Sequence, residues 1–337
     1  MIDLRSDTVT RPTQPMLEAM MAARVGDDVF GEDPTINELE AEVAKQFGKD
    51  AALFCASGTM ANQIAIKCHT RPGDEVICET NSHVYIYEGG GIAFNSGCQV
   101  KPLPGVRGLI NAQQVVEAIN PDDIHKPVSR LVCLENSSNR GGGSIYQLSD
   151  IEDIRAICLQ NNLKLHLDGA RLWNALVARG ETALQHGKQF DSISVCFSKG
   201  LGAPVGSVLV GNADFIHQAR RVRKVYGGGM RQAGYLAAAC LYALDHNVAR
   251  LESDHNHAKY IASQLIKKDF VGKMLPVESN MIIFEVHGRF TPKAFVEKLA
   301  GSGIKCLAIS PTQVRMVTHL DILPVMVEQL GHIIEHM

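Results

Sequence analysis

Lys199 stands in Ser194-Val-Cys-Phe-Ser-Lys-Gly-Leu-Gly-Ala-Pro-Val-Gly-Ser207, at the end of an apolar, β-branched run from Ile193 to Phe197 that reads as a buried strand. Ligands in open α/β sheets gather at the carboxyl ends of strands, so this ammonium is expected to face a site. A lysine crowded there by small residues can lose its proton and form a Schiff base with a carbonyl compound. A lysine that merely ends a strand at the surface is the plainer alternative. The glycines after it resemble a dinucleotide-binding turn. However, Ser207-Val-Leu-Val-Gly211 reads as a strand where that fold needs a helix.

A second strand, Leu163-Lys-Leu-His-Leu-Asp168, delivers a carboxylate at its own carboxyl end and continues into Gly169-Ala170-Arg171. The spacing between Asp168 and Lys199 leaves room for one crossover between neighbouring strands. An aspartate and a lysine at adjacent strand tips suit pyridoxal phosphate. The lysine holds the aldehyde, and the aspartate keeps the pyridine nitrogen protonated so that the ring can act as an electron sink. A helix cap, or an ion pair with Arg171, is the plainer role for Asp168. A phosphate anchor is offered by Ser57-Gly58-Thr59, between the apolar run Ala51–Cys55 and a helical stretch from Met60 to Thr70. Simple N-capping by Ser57 or Thr59 would leave the same signature. A second glycine turn, Gly227-Gly-Gly229-Met230-Arg231, precedes a helix expected near Gln232, and Arg231 could reach a phosphate in its own subunit or a neighbour's.

With these residues in place, the chain resembles the L-threonine aldolases of the pyridoxal-phosphate fold-type I superfamily along its whole length. The shared stretches are Asp3-Leu-Arg-Ser-Asp-Thr-Val-Thr10, Val25-Gly-Asp-Asp-Val-Phe-Gly-Glu-Asp-Pro34 and Ser57-Gly-Thr-Met-Ala-Asn62. They continue through His166-Leu-Asp-Gly-Ala-Arg171, Ser198-Lys-Gly-Leu-Gly202, Gly227-Gly-Gly-Met-Arg-Gln232 and Val314-Arg-Met-Val-Thr-His-Leu320. The resemblance implies that Lys199 carries the Schiff base, Asp168 pairs with the pyridinium nitrogen and His83 stacks on the cofactor ring. It places Ser57, Gly58, Thr59 and Arg231 at the phosphate, the last from a neighbouring subunit. It places Ser6, Arg171 and Arg315 at the substrate carboxylate, His125 near the substrate hydroxyl and Tyr87 close to the same pocket. Two departures stand out: Ser138 replaces a histidine of the family pattern, and Phe30 replaces a frequent tyrosine.

The implied reaction is cleavage of the Cα–Cβ bond of L-threonine or L-allo-threonine to glycine and an aldehyde. A base must take the β-hydroxyl proton, directly or through one water. His83 and His125 are the candidates, and both can titrate near neutral pH. The same scaffold also hosts aminotransferases, β-eliminating lyases and decarboxylases, so the fold alone does not choose the reaction. A cofactor-binding protein without turnover is the alternative from another class. The Arg171 and Arg315 pair speaks against it, because storage needs no grip on a substrate.

The elements that must position these residues alternate, helix and strand, to about residue 240, as a mostly parallel sheet covered on both faces requires. The resemblance makes that sheet seven-stranded, in a fold of the aspartate-aminotransferase type. The expected division is a large cofactor-binding α/β domain over 1–245, with an N-terminal arm, and a small α+β domain over 246–337. A long amphipathic helix from Gln232 to about Lys267, broken near Asn247, is expected to join them. Beyond it, strands are expected at Met281–Val286, Ile304–Ile309 and Val314–Thr318, with helices from Pro292 to Leu299 and from Leu323 to His336.

The chain has 337 residues, 33 basic and 36 acidic side chains and a formal net charge of −3, which gives no basic stripe for nucleic acid. No apolar run is long enough for a membrane span, and the start of the chain lacks the apolar core of a signal peptide. The nine cysteines are scattered and odd in number, as expected of reduced thiols in a cytoplasmic protein. No metal-binding spacing is present. His255 and His257, two apart on a helix, face different ways. The family implies a homo-oligomer, more often a tetramer than a dimer.

Overall fold

A computed structural model describes all 337 residues. The chain opens with a two-residue strand, β1 (Ile2–Asp3), and then builds a sheet from β2 (Ala51–Cys55), β3 (Glu75–Glu79), β4 (Gln99–Leu103), β5 (Ser129–Glu135), β6 (Lys164–Gly169), β7 (Ser192–Cys196) and β8 (Ser207–Gly211). The strand order is β2-β8-β7-β6-β5-β3-β4, and every pairing is parallel except those of β8, which runs against both of its neighbours.

Side chains of a strand alternate between faces, and here both faces are apolar. Ala52, Phe54, Ile77, Val132, Leu134, Ile193, Val195, Val208 and Val210 enter a core of 41 buried residues on one side. Their neighbours Leu53, Cys55, Val76, Cys78, Leu131, Cys133 and Leu209 pack into two smaller clusters on the other. Helices Pro34–Phe47, Leu148–Gln160 and Gly234–His246 contribute to the first face. Helix Gly58–His69 covers the second through Ala61, Ile64, Ala65 and Ile66. This burial on both sides is why the strands read as continuous apolar runs rather than as alternating ones.

The C-terminal unit has its own core of 20 residues. Its strands are β9 (Val271–Met274), β10 (Met281–Val286), β11 (Ile304–Lys305), β12 (Leu307–Ala308) and β13 (Gln313–Val317). Four of them form an antiparallel sheet in the order β12-β13-β10-β9, while β11 pairs in parallel with β1. Ile2 and Leu4 are buried in this second core, so the first residues of the chain pack with the last ninety rather than with the large sheet.

The expected elements shift in three places. The long helix is two, Gly234–His246 and Leu251–Leu265, separated at the expected interruption. The single strand expected over 304–309 divides at the buried Cys306, because its first half pairs with β1 and its second with β13. Strand β9 was not expected. It carries Gly272, lies at a sheet edge and is largely half-buried, so it shows no apolar period.

Candidate functional site

The parallel strands bring their carboxyl ends to one edge of the sheet. Glu135 at the end of β5 is the direct neighbour of Asp168 on β6, and Lys199 follows three residues after β7. Two hollows open at this edge. One, of about 190 Å³, is lined by Ser57, Gly58, Thr59, Asp168 and Ser198. The other, of about 130 Å³, is lined by Ser6, Glu135, Asn139, Arg171 and Arg315. Thr8, His83, Ala170 and Lys199 line both, so the two are lobes of one cavity with Lys199 and His83 at the seam. Larger hollows lie elsewhere, such as the groove of about 380 Å³ between Glu40 and Arg220, but no such set of groups converges on them.

In the first lobe the helix Gly58–His69 begins with backbone N–H groups at the cavity and Ser57 as its cap, the Ser57 hydroxyl accepting from Met60 N at 3.1 Å. A side chain at residue 58 would meet Cys196 Sγ at 2.7 Å, so glycine is what allows the turn to lie this close to β7. Asp168 Oδ1 accepts from Ala170 N at 3.0 Å, while Oδ2 is buried with no partner at all. A buried carboxylate oxygen without a donor calls for one from a bound molecule. Lys199 Nζ touches Cys196 Sγ at 3.4 Å and has no acidic partner in contact.

His83 opens a one-turn helix, His83–Ile86. Its backbone N–H donates to Glu135 at 2.9 Å, and its ring Nδ1 lies 3.0 Å from a Glu88 oxygen. Ligand atoms of His83, Glu88 and Asp168 all lie within 4.8 Å of one another. Burial lowers the affinity of His83 for a proton. The hydrogen bond to Glu88 and the charges of Asp168, Glu88 and Glu135 outweigh that and hold it above the usual histidine range. Burial and the neighbouring Asp168 charge push Glu135 up to about 7, against the pull of the N–H groups of Asn139 and His83 and of the His83 charge.

In the second lobe Arg171 is fully engaged on one side, its Nε and Nη2 donating to the two oxygens of the buried Asp7 at 2.8 and 2.6 Å. Burial opposes ionisation of Asp7, but Arg171 and then Lys199 and Asn280 hold its carboxyl below the usual range. Arg315 donates to Asn139 at 2.9 Å and to the Arg5 carbonyl at 3.2 Å, and its buried Nε has no partner. Ser6 caps the turn Asp7–Val9 and faces the same lobe. Tyr87 lines neither lobe but stands beside His83, half exposed, its ring 5.7 Å from that of the histidine.

Two further expected residues lie away from the cavity of their own chain. His125 lies four residues before β5, at the amino end of the sheet, whereas the cavity is at the carboxyl end. The seven residues of β5 alone span roughly 20 Å. Its side chain is exposed and its Nδ1 sits 2.8 Å from Asp123. Arg231 follows the turn at Gly227, whose φ is +76°, and is captured by Asp27 at 2.9 Å, outside both lobes. Ser138 is buried and lines neither lobe, its hydroxyl accepting from Gly141 N at 3.2 Å and its N–H donating to Ser144 O. Gly108 packs against it so closely that a side chain at residue 108 would meet Ser138 Oγ at 2.0 Å.

Glu135, Glu88, Asp7 and Asn139 were not anticipated from the sequence. Glu135 ends an apolar strand just as Asp168 does, and that shared pattern was a usable signal. The other three lie in turns and carry no local one.

A family model described as beta-eliminating lyase matches residues 3–288. The low specificity L-threonine aldolase of Escherichia coli strain K12 is 44% identical over 337 residues, covering 100% of this chain and 98% of its own. Among solved structures, a threonine aldolase of Leishmania major superimposes with a TM-score of 0.86 at 20% identity, over 100% of this chain and 99% of that one. SPT solved with PLP superimposes with a TM-score of 0.74 at 16% identity, over 99% and 86% respectively.

Proposed function

The chain belongs to the beta-eliminating lyase family, among relatives that are low-specificity L-threonine aldolases, and from that premise we propose that it cleaves L-threonine and L-allo-threonine to glycine and acetaldehyde with pyridoxal phosphate as cofactor. It is thus a carbon–carbon lyase of the aldehyde-releasing kind on a fold-type I scaffold. The observation that carries this reading is the two-lobed cavity with Lys199 and His83 at its seam.

The residues of the first lobe fit the cofactor. Lys199 would hold it through its amine, the unpartnered Asp168 Oδ2 would accept from the ring nitrogen, and the Ser57-Gly58-Thr59 turn would take the phosphate. When bound, pyridoxal phosphate supplies an electron sink for the pair released as the Cα–Cβ bond breaks. The residues of the second lobe fit the amino acid. Arg315, with a spare buried Nε, is the main carboxylate anchor. Arg171 adds positive charge to the lobe while its Nε and Nη2 stay on Asp7, and the Ser6 hydroxyl adds a hydrogen bond. His83 is the base for the β-hydroxyl proton, since it is the one histidine lining the cavity. His125 reaches a site only if it belongs to a neighbouring copy, and Arg231 likewise. This agrees with a homotetramer in which exposed Ile124 and His125 meet another subunit.

We place the division between cofactor and small domains near residue 245, where the two helices part. No helix is long and apolar enough to cross a membrane. We propose a cytoplasmic enzyme of threonine catabolism that forms glycine. The test follows acetaldehyde and glycine from the four stereoisomers of threonine, beside a Lys199→Ala variant. Release from the L forms that depends on Lys199 is expected. A keto acid in place of aldehyde, or no aldehyde from any isomer, overturns the reading.

A further inference from the structure

Beside His83 runs a file of buried polar groups, of which the first two, Glu88 and Asn62, also line the first lobe. Glu88 is buried and accepts three hydrogen bonds: from Asn62 Nδ2 at 2.9 Å, from Gln63 Nε2 at 2.7 Å and from His83 Nδ1 at 3.0 Å. Asn62 turns its carbonyl oxygen the other way, to Ser194 Oγ at 2.6 Å and to His166 Nε2 at 3.1 Å. His166 Nδ1 meets Ser192 Oγ at 2.8 Å, and the same oxygen meets His69 Nε2 at 2.8 Å.

The directions of these bonds follow from chemistry. An ionised carboxylate can only accept, so Asn62 must present its NH₂ to Glu88 and its oxygen to His166. That oxygen can only accept, so His166 carries its proton on Nε2. His166 is neutral, burial pushing it down to about 3, so its Nδ1 is an acceptor and takes the Ser192 hydroxyl proton. Ser192 Oγ then accepts from His69 Nε2–H. Every donor in the file points toward Glu88, so the dipoles of the file are aligned on its carboxylate. The packing is built for this. Gly91 stands where any Cβ would lie 2.5 Å from the Gln63 carboxamide, and Asn95 holds the Gln63 oxygen at 3.1 Å.

From this geometry we infer that Glu88 is a positioning residue for His83, fixing its proton on Nδ1 and leaving Nε2 as the nitrogen that accepts a proton in the cavity. The inference rests on the proposed role of His83 as base. Asn62 and Gln63 belong to the helix whose first turn is the proposed phosphate anchor, so one element orients both the cofactor and, through Glu88, the base. Other titratable groups facing His83 are Asp168 on β6, Glu135 on β5, Lys199 at the seam of the cavity and Tyr87 on its own turn.

The test reads the histidine rather than turnover. In cofactor-free, substrate-free protein with labelled imidazoles, the His83 signal is assigned by comparison with His83→Asn and followed through pH. Neutral His83 in the unmodified protein is expected as the Nδ1–H tautomer, and an Nε2–H tautomer overturns the inference without any Glu88 variant. Glu88→Gln is expected to lower the His83 pKa by about one to three units and to mix the tautomers. Glu88→Asp, which keeps the charge on a shorter arm, is expected to fall between. An unchanged His83 titration in both folded variants overturns the inference. In the cofactor-loaded enzyme, Glu88→Gln is expected to lower kcat for L-threonine by about 10- to 100-fold with KM little changed. Failure of the unmodified enzyme to cleave threonine would bear on the proposed function alone, since the titration is read without cofactor or substrate.

Discussion

Asp7 and Arg171, 164 residues apart in the chain, form a bidentate pair with almost no exposure to solvent. A buried pair of this kind contributes little net stability while intact, but removing one partner leaves an uncompensated charge. Asp7→Ala is therefore predicted to lower the unfolding free energy of the cofactor-free protein by about 3–5 kcal/mol, read by denaturant titration. The pair also marks where residue-level reading of the sequence stops. Lys199 and Asp168 were legible because each ends a short apolar strand, and strand ends converge in such sheets. The partner of Arg171 was not legible, because nothing local in Asp3-Leu-Arg-Ser-Asp7 signals a cation so distant in sequence. His125 is the converse case. Its family role gave no indication of which end of the sheet it occupies, and its place just before β5 puts it at the amino end.

At the scale of elements, the start of helix Gly58–His69 is fitted against β7 with no room to spare. Gly58→Val should drive a methyl group into Cys196 Sγ, which itself touches Lys199. Overpacking of this kind costs about 1–3 kcal/mol. Pyridoxal phosphate affinity, followed by absorbance titration, is predicted to weaken by about tenfold or more. Thr59→Ala, which removes a hydroxyl and adds nothing, should weaken it less. The strands and helices of the large sheet were largely readable, because burial on both faces writes long apolar runs. The edge strand β9 was not, because it is half-buried and shows no apolar period, and the divided stretch at Cys306 was not, because its first half pairs with the distant β1.

For the whole molecule, the titrating groups that folding perturbs act in opposite senses across the pH scale. Burial pushes His69 and His255 down to about 4 and His166 to about 3, whereas each takes a proton near pH 6.5 when unfolded. The unfolded chain then binds more protons below pH 6.5, so acid removes stability. Glu135, raised from 4.5 to about 7, holds its proton better folded than unfolded, so its contribution is full below pH 4.5 and is lost progressively as pH rises to about 7. His83, also raised, acts in the same sense. The thermal midpoint of the cofactor-free protein is predicted to peak near pH 6.5, and Glu135→Gln, which removes a contribution that falls between pH 4.5 and about 7, should steepen the rise on the acid side of that peak. The parallel pairing of β1 with β11 has a consequence of a different kind, in time. Residues 2 and 3 leave the ribosome long before their partners, 304 and 305, which emerge about 15–60 s later at ordinary synthesis rates. Throughout that interval Ile2 and Leu4 have no core to enter, and the arm that carries Asp7 to Arg171 has no anchor. The amino-acid lobe is thus among the last parts of the molecule to take shape during translation. A nascent chain halted before residue 304 would hold most of the large sheet without that lobe.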